Sequence, residues 1–395
     1  MPSRKSNTRA AQGSGTIRQR KDGRWEARYT LGRNPGTGKQ IQKSVYGDTQ
    51  GEVRKKLAQV VVDVDGGTYV EPSKLTVGSW LDIWLEEYVK ISVKPLTYHA
   101  YKTQCNNHMK PAFGAVKLSA LNAPTIQKLY NNLHKGREGK PGLSAKTIRN
   151  LHGVLHSAMK QALELRYIKN NPSVACRPPD IIKKQIKPLE EAEISTFLKA
   201  IEGHKFETVY LVALFCGARQ AEILGLTWDC VDFKNGTILI SKQLIKDKNN
   251  GQYYLSTNKN DKSRRITAAT YVMELMKKHR RAQMEMRFKA GELWTNDDNL
   301  CFTNELGAHL SHVTVYKNFK RLVASLGLPG ARFHDLRHSY AVAALSSGDD
   351  VKTVQENLGH HTAAFTLDVY GHVSEKMKRD SAERMDAFIK SVKMA

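Results

Sequence analysis

Apolar and polar positions alternate in short runs near the start of the chain, at 15–20, 24–32 and 40–46, and each run reads as a β-strand. Lys21-Asp22-Gly23 and Asn34-Pro35-Gly36-Thr37-Gly38 supply the turns between them. Thr49-Gln50-Gly51-Glu52 has the spacing of a capping box and predicts a helix to about residue 62. A three-stranded sheet backed by one helix is the simplest assembly, behind a polar, basic arm over 1–14. Gly66-Gly67 and Glu71-Pro72-Ser73 mark a boundary, and the period then turns helical over 76–172. Trp80, Trp84, Leu85 and Tyr88 recur at helical spacing, which predicts core rather than a base-stacking platform. Further helices open at Pro95, at Ala123-Pro124-Thr125 and at Leu143-Ser144-Ala145. The last of these carries the apolar stripe Ile148, Leu151, Leu155, Ala158, Met159 and Ala162. Arg177-Pro178-Pro179 through Lys187-Pro188 reads as a linker. From 189 onward the pattern is mainly helical, interrupted by strands at 237–244, 252–257 and 263–267 with a turn at Asn249-Asn250-Gly251. Residues 374–393 form a final helix with Met385, Phe388, Ile389 and Val392 on one side. The expected fold class is multidomain α+β.

Composition adds a partner. The chain of 395 residues is too long for one ordinary core. It holds 62 Lys and Arg against 38 Asp and Glu, a net charge of +24, which implies a polyanion. The excess is uneven: residues 1–62 hold fourteen basic and four acidic side chains. Arg18, Arg20, Arg24, Arg28 and Lys43 lie on or beside the first three strands. Alternation can set such residues on one exposed face, suited to a DNA groove. Lys94, Lys102, Lys146 and Arg149 offer phosphate contacts from the helical region. No strongly apolar amphipathic face accompanies the charge and no apolar run is long enough to span a bilayer, so a membrane partner is not expected. The basic N-terminus lacks a signal peptide's apolar stretch, and a cytoplasmic protein is expected. The five cysteines include no CxxC pair, and Cys105 with His108 cannot complete a zinc site, so no metal is expected.

The chemistry collects toward the C-terminus. His334-Asp335-Leu336-Arg337 is followed by Leu358-Gly359-His360 and Tyr370-Gly371-His372, and upstream stands Gly217-Ala218-Arg219-Gln220-Ala221-Glu222. Two arginines, two histidines and one tyrosine suit a single task, which is to hold a phosphodiester while a phenol oxygen attacks it. Arginine's planar fork meets two phosphate oxygens at once and keeps its charge. A side-chain nucleophile conserves the bond energy in a covalent link. His334 and Arg337, three apart at a helix start, project to one side. Arg219 reads as buried, and Glu222 as either its plain helical partner or the group that orients it.

This order of motifs closely resembles the tyrosine recombinase (phage integrase) family, with a likeness to integrases of integrative and conjugative elements. The resemblance implies Tyr370 as nucleophile, Arg219 and Arg337 as the phosphate clamp, and His334 and His360 as phosphate-binding and proton-handling residues. His372 and Glu222 would support them. Thr257-Asn258-Lys259-Asn260-Asp261-Lys262-Ser263-Arg264-Arg265 resembles the family's hairpin lysine pattern; aligning Ser263-Arg264-Arg265 selects Lys259 as general acid, with Lys262 the alternative. One departure is Cys216-Gly217-Ala218, where Thr-Gly-Leu or Thr-Gly-Met is common. The implied architecture is an arm-type DNA-binding domain over 1–70, a helical core-binding (SAM-like) domain over 75–175, a linker over 176–188 and a mainly α catalytic domain with a small β-sheet over 189–395. The implied reaction is site-specific recombination of a mobile element through a 3′-phosphotyrosyl intermediate and a Holliday junction, without cofactor. The implied partners are double-stranded DNA at core and arm sites, three further protomers in a tetramer, an excisionase and a DNA-bending protein. The C-terminal helix is expected to dock either on a neighbouring protomer or on its own domain.

Overall fold

A computed structural model of the chain describes residues 15–66, 69, 74–136, 139–182, 187–257, 262–359, 362 and 374–393. The chain divides into two compact units, Met1–Lys183 and Lys184–Ala395.

In the first unit, β1 (Thr16–Gln19), β2 (Trp25–Arg33) and β3 (Gln40–Gly47) pair antiparallel in sequence order. α1 (Gln50–Asp65) crosses one face. Half of the predicted box holds its start: the Glu52 amide donates to Thr49 Oγ1 at 3.2 Å, whereas the Glu52 carboxylate accepts the amide of Asp48, one residue before the cap, at 3.0 Å. The two faces of the sheet differ in kind. Ala27, Tyr29, Val53 and Leu57 form the small core under the helix. On the other face Glu26 lies almost covered, accepting from Arg18 Nε at 2.7 Å, Arg28 Nε at 3.3 Å and Ser44 Oγ at 2.8 Å. The Ser44 and Arg18 hydrogen bonds hold its carboxyl at about 2, well below the usual range. Arg18 and Arg28 therefore share a face. Lys43 pairs in register with Tyr29, which puts it on the helix side of the pleat, away from them. Arg20 and Arg24 flank Asp22 in the first turn, and Arg20 lies over the Tyr46 ring at 5.4 Å.

The helical part of this unit has its own core. α2 (Val77–Ile83) widens into π-turns over Trp84–Val89 and carries Trp80, Leu81, Trp84 and Leu85 inward. Trp80 Nε1 donates to Ala158 O at 2.9 Å, which satisfies the one polar atom of a fully buried ring. α3 (Pro95–Gln104), α4 (Ala123–Lys135) and α5 (Ala145–Glu164) follow where prolines and caps predict; Asn122 and Ser144 accept the Thr125 and Thr147 amides. Lys94 and Lys146 are exposed. Arg149 is also exposed, but its guanidinium is engaged, donating to Asp180 Oδ1 at 2.7 Å and to Pro179 O at 2.9 Å.

In the second unit α6 (Glu191–Ile201), α7 (Glu207–Cys216) and α8 (Gln220–Leu224) lead into the β-structure. The run at 237–244, expected as one strand, is two. β4 (Val231–Asp232) and β5 (Thr237–Ile240) join β8 (Arg264–Thr267) in one sheet, whereas β6 (Lys242–Lys246) and β7 (Tyr253–Thr257) form a separate hairpin. The break falls at Ser241, and Lys242, at the register of buried Ile238 and Ile240, is exposed. α9 (Thr270–Ala290), α10 (His312–Ser325), α11 (Phe333–Ser346) and α12 (Val351–Leu358) complete the core, and α13 (Ser374–Lys393) is the expected last helix. Met385, Phe388, Ile389 and Val392 are exposed on α13. The Cys105, Cys176, Cys216 and Cys301 thiols are buried, and burial raises the pKa of each. Among the described residues no helix is long and apolar enough to cross a membrane.

Candidate active site

The site grows from two helix ends. α7 stops at Gly217, whose φ of +62° is left-handed. A Cβ there would meet the Tyr340 ring at 2.4 Å and Leu358 at 2.9 Å, so both the backbone and the space demand glycine. α12 stops at Gly359 in the same way, with φ +63°. Arg337, the fifth residue of α11, reaches between these ends: Nη1 donates to Gly217 O at 2.6 Å and Nη2 to Leu358 O at 2.5 Å. A cation at two helix C-termini is favourable, since each presents carbonyls with no partner in its own helix. Arg337 is only 2 % exposed, so its charge lies at the floor of the site.

Two residues past Gly217, Arg219 caps α8. Its side chain is 36 % exposed, so the buried arginine expected here is open on one edge. What is buried is its partner. Glu222 Oε1 accepts Arg219 Nη1 at 2.6 Å and Oε2 accepts the Arg219 amide at 2.9 Å. A guanidinium gripped on one edge offers the other to an incoming anion. Burial pushes the Glu222 carboxyl up, but the bonds and charges of Arg264 and Arg219 outweigh it and hold the pKa at about 2.

Arg264 is the residue that sequence reasoning missed. Ser263-Arg264-Arg265 served only to align the hairpin lysine, yet Arg264 forms a fork on Glu222, Nη2 to Oε2 at 2.6 Å and Nη1 to Oε1 at 3.1 Å. Its Nε donates to Asn357 O at 2.7 Å. The available signal was an arginine in a short strand, at a position where β8 must face the core.

His334 lies near both arginines on the exposed start of α11. Desolvation of its ring, then the charges of Arg337 and Arg219, lower its pKa. Its ring meets His338 edge-on at 4.8 Å between centroids, and burial with the His334 charge pushes His338 down to about 4. At neutral pH the His338 imidazole is therefore uncharged. The structure thus brings together Arg219, Glu222, His334 and Arg337, with Arg264 behind them. The nucleophile candidate Tyr370 lies outside the described residues, as do Lys259, His360 and His372. Lys259 falls in the connection between β7 and β8, and His360 directly follows Gly359.

Comparison with known proteins bears on the family and the fold. Residues 187–377 match the phage integrase family, and residues 76–134 match the phage integrase N-terminal SAM-like domain. The chain is 30 % identical over 379 residues to a tyrosine recombinase XerC-like protein of Caldanaerobacter subterraneus subsp. tengcongensis, covering 91 % of this chain and 95 % of that one. The chain belongs to the phage integrase family of tyrosine site-specific recombinases. The recombinase is also 24 % identical to the ICEBs1 integrase of Bacillus subtilis (strain 168), over 94 % of this chain and 99 % of the relative. Its fold resembles that of the Tn1549 transposon integrase, solved with a circular intermediate DNA: the TM-score is 0.65 at 22 % identity, covering 79 % of this chain and 99 % of that one. The mixed architecture of small antiparallel sheets and many helices is thus a known one.

In this recombinase Gly217→Ala should cost about 2–4 kcal/mol, from the left-handed backbone and from overpacking against Tyr340. Thermal denaturation of the purified variant checks this; an unchanged melting temperature would mean that the Gly217 turn is not as tight as described.

Proposed function

We propose that this recombinase integrates and excises a mobile DNA element of the conjugative or phage type. The observation that carries this reading is the open edge of Arg219, fixed by a buried ionised glutamate beside His334 and above Arg337. Such a surface is prepared for a phosphate whose charge rises in the transition state.

In the mechanism, the Tyr370 phenol oxygen attacks the scissile phosphorus and gives up its proton to His334, whose lowered pKa leaves the ring neutral and able to accept it. The bond to the 5′-oxygen breaks, a 3′-phosphotyrosyl bond forms, and Lys259 supplies the proton to the departing 5′-oxygen. Arg219 binds the non-bridging oxygens directly and Arg337 adds its charge from beneath. His334 and His360 hold the same phosphate. The 5′-hydroxyl of a partner duplex then attacks the phosphotyrosine and frees the phenol. Exchange of both strands passes through a Holliday junction. Two duplexes are cut once per strand, which calls for four tyrosines and hence a tetramer. No step needs a metal or nucleotide, because the covalent link keeps the bond energy.

The strand-paired N-terminal part over 1–70 would bind arm-type sites through the Arg18 and Arg28 face. The helical part over 75–175 would bind core-type sites, and the segment over 176–188 would link it to the catalytic part over 189–395. Reading two kinds of site fits reliance on a DNA-bending protein and an excisionase. The reaction on bacterial DNA places the protein in the cytoplasm.

A nicked suicide substrate carrying the element's end tests the proposal. The broken strand diffuses away after cleavage, so the covalent complex accumulates. A denaturant-resistant protein–DNA adduct is expected, with the modified peptide containing Tyr370. No adduct on any end sequence, from protein that binds that DNA, would overturn the reading.

A further inference from the structure

Arg264 joins three segments of the catalytic unit. It opens β8, just after the connection that holds Lys259. Its fork closes on both oxygens of Glu222, the same two oxygens that grip the Arg219 side chain and amide. Its Nε takes Asn357 O at the end of α12, one residue before the carbonyl that Arg337 takes. Gly359 completes the fit: a Cβ there would stand 3.2 Å from Arg264 Cδ and Nη1. The Arg264 side chain is 10 % exposed, and every nitrogen of its guanidinium donates to a protein oxygen. It is therefore poorly placed to bind phosphate itself.

We propose that Arg264 is a positioning residue for strand cleavage, which sets the working edge of Arg219 through Glu222 and fixes the end of α12 from which His360 departs. This rests on the reading that Arg219 and His360 meet the scissile phosphate. Two functions meet in one side chain. The fork keeps Glu222 ionised and oriented, so that Arg219 cannot swing. The Nε bond pins the last turn of α12 against β8, so that the glycine turn starts from one place. A lysine cannot do both, because one ammonium cannot span a bidentate carboxylate and a separate carbonyl in fixed directions.

The alternative is that Arg264 only neutralises a buried carboxylate and stabilises the fold. The pH profile of cleavage separates the two. Among the described residues, Glu222 is faced by Arg219 from its own turn and by Arg264 from β8. Cys216 of α7 lies near Arg264, and its thiol, pushed up to about 12 by burial, stays uncharged. With Arg264 present, the Glu222 carboxyl stays ionised through the working range. Without it, burial is opposed by Arg219 alone and the carboxyl pKa rises. Because the ionised form is the one that holds Arg219, cleavage should then be lost as pH falls through that raised value.

The test is single-turnover cleavage of the nicked substrate by the full chain between pH 5 and 8, with DNA binding followed by fluorescence anisotropy and folding by thermal denaturation. For Arg264→Gln the cleavage rate should fall on the order of 10²-fold at pH 8, with binding kept within about twofold. A new acid limb should appear, and adding Glu222→Gln should remove that limb. A folded Arg264→Gln protein that cleaves at the parental rate, or that slows equally at every pH, overturns the proposal. Should Arg264→Gln fail to fold, Arg264→Lys keeps the charge and serves instead. A folded Arg264→Lys protein should cleave at least about tenfold more slowly while binding DNA normally, and a parental rate overturns the proposal. The parental chain runs beside both. If it forms no phosphotyrosyl adduct, the broader reading fails first; if it does and the variants match it, only the role of Arg264 fails.

Discussion

Tyr370→Phe should bind its DNA within about twofold of the parental protein and form no covalent adduct, a loss on the order of 10⁴-fold or more in cleavage. The reason is stoichiometric. The phosphotyrosyl bond needs the phenol oxygen, and phenylalanine has none. The structure supplies a demanding control, because a second phenol stands close to the site. Tyr340 packs its ring under Gly217, its hydroxyl accepts Asn357 Nδ2 at 2.9 Å, and burial raises its pKa. A hydroxyl so engaged and so hard to ionise is a poor nucleophile. Tyr340→Phe should therefore keep the adduct, and suicide-substrate trapping of both variants on one gel decides the matter. An adduct that survives Tyr370→Phe and vanishes with Tyr340→Phe would reassign the nucleophile.

The second large effect sets apart the two arginines proposed to hold the phosphate. Arg337→Ala should lose cleavage and also about 3–5 kcal/mol of stability, because it removes the donor to two buried carbonyls and leaves a cavity where the side chain lay. Arg219→Ala should lose cleavage by a factor of about 10²–10³ with a stability change under about 1.5 kcal/mol. Its side chain is open to solvent, and Glu222 keeps the Arg264 fork after Arg219 is gone. Chemical denaturation beside single-turnover cleavage reads both quantities. Equal stability losses in the two variants would contradict the burial difference described here.

Much of this was legible in the sequence because local signals and tertiary structure agree. Turn residues, caps and prolines place most boundaries of β1–β3 and α1–α5 within a residue or two, since these features satisfy backbone groups locally. The aromatics at Trp80 and Trp84 fall in the core, as helical spacing requires. Four features were not legible, each for a physical reason. The change of sheet at Ser241 disturbs the period-two pattern only at Lys242, and one exposed lysine does not distinguish a new sheet from a continuing strand. The exposure of Arg219 depends on which way a short helix faces after a left-handed turn. Lys43 shares a strand with polar neighbours, and only the register with Tyr29 shows which side of the pleat it takes. Arg264 depends on contacts with residues about forty and ninety positions away, and no local period encodes such distances. The same limit applies to the convergence of Gly217 and Leu358 on Arg337, across 120 and 21 residues.

The Glu222 carboxylate accepts from two guanidinium groups and one amide at once. Such sharing constrains how the site can drift over generations. Exchange of the acid for its amide strands two cations, and exchange of either cation unbalances the acid. Single-letter changes at these three positions are therefore dead ends, and a lineage that abandons the arrangement must replace several letters together or pass through a crippled ancestor.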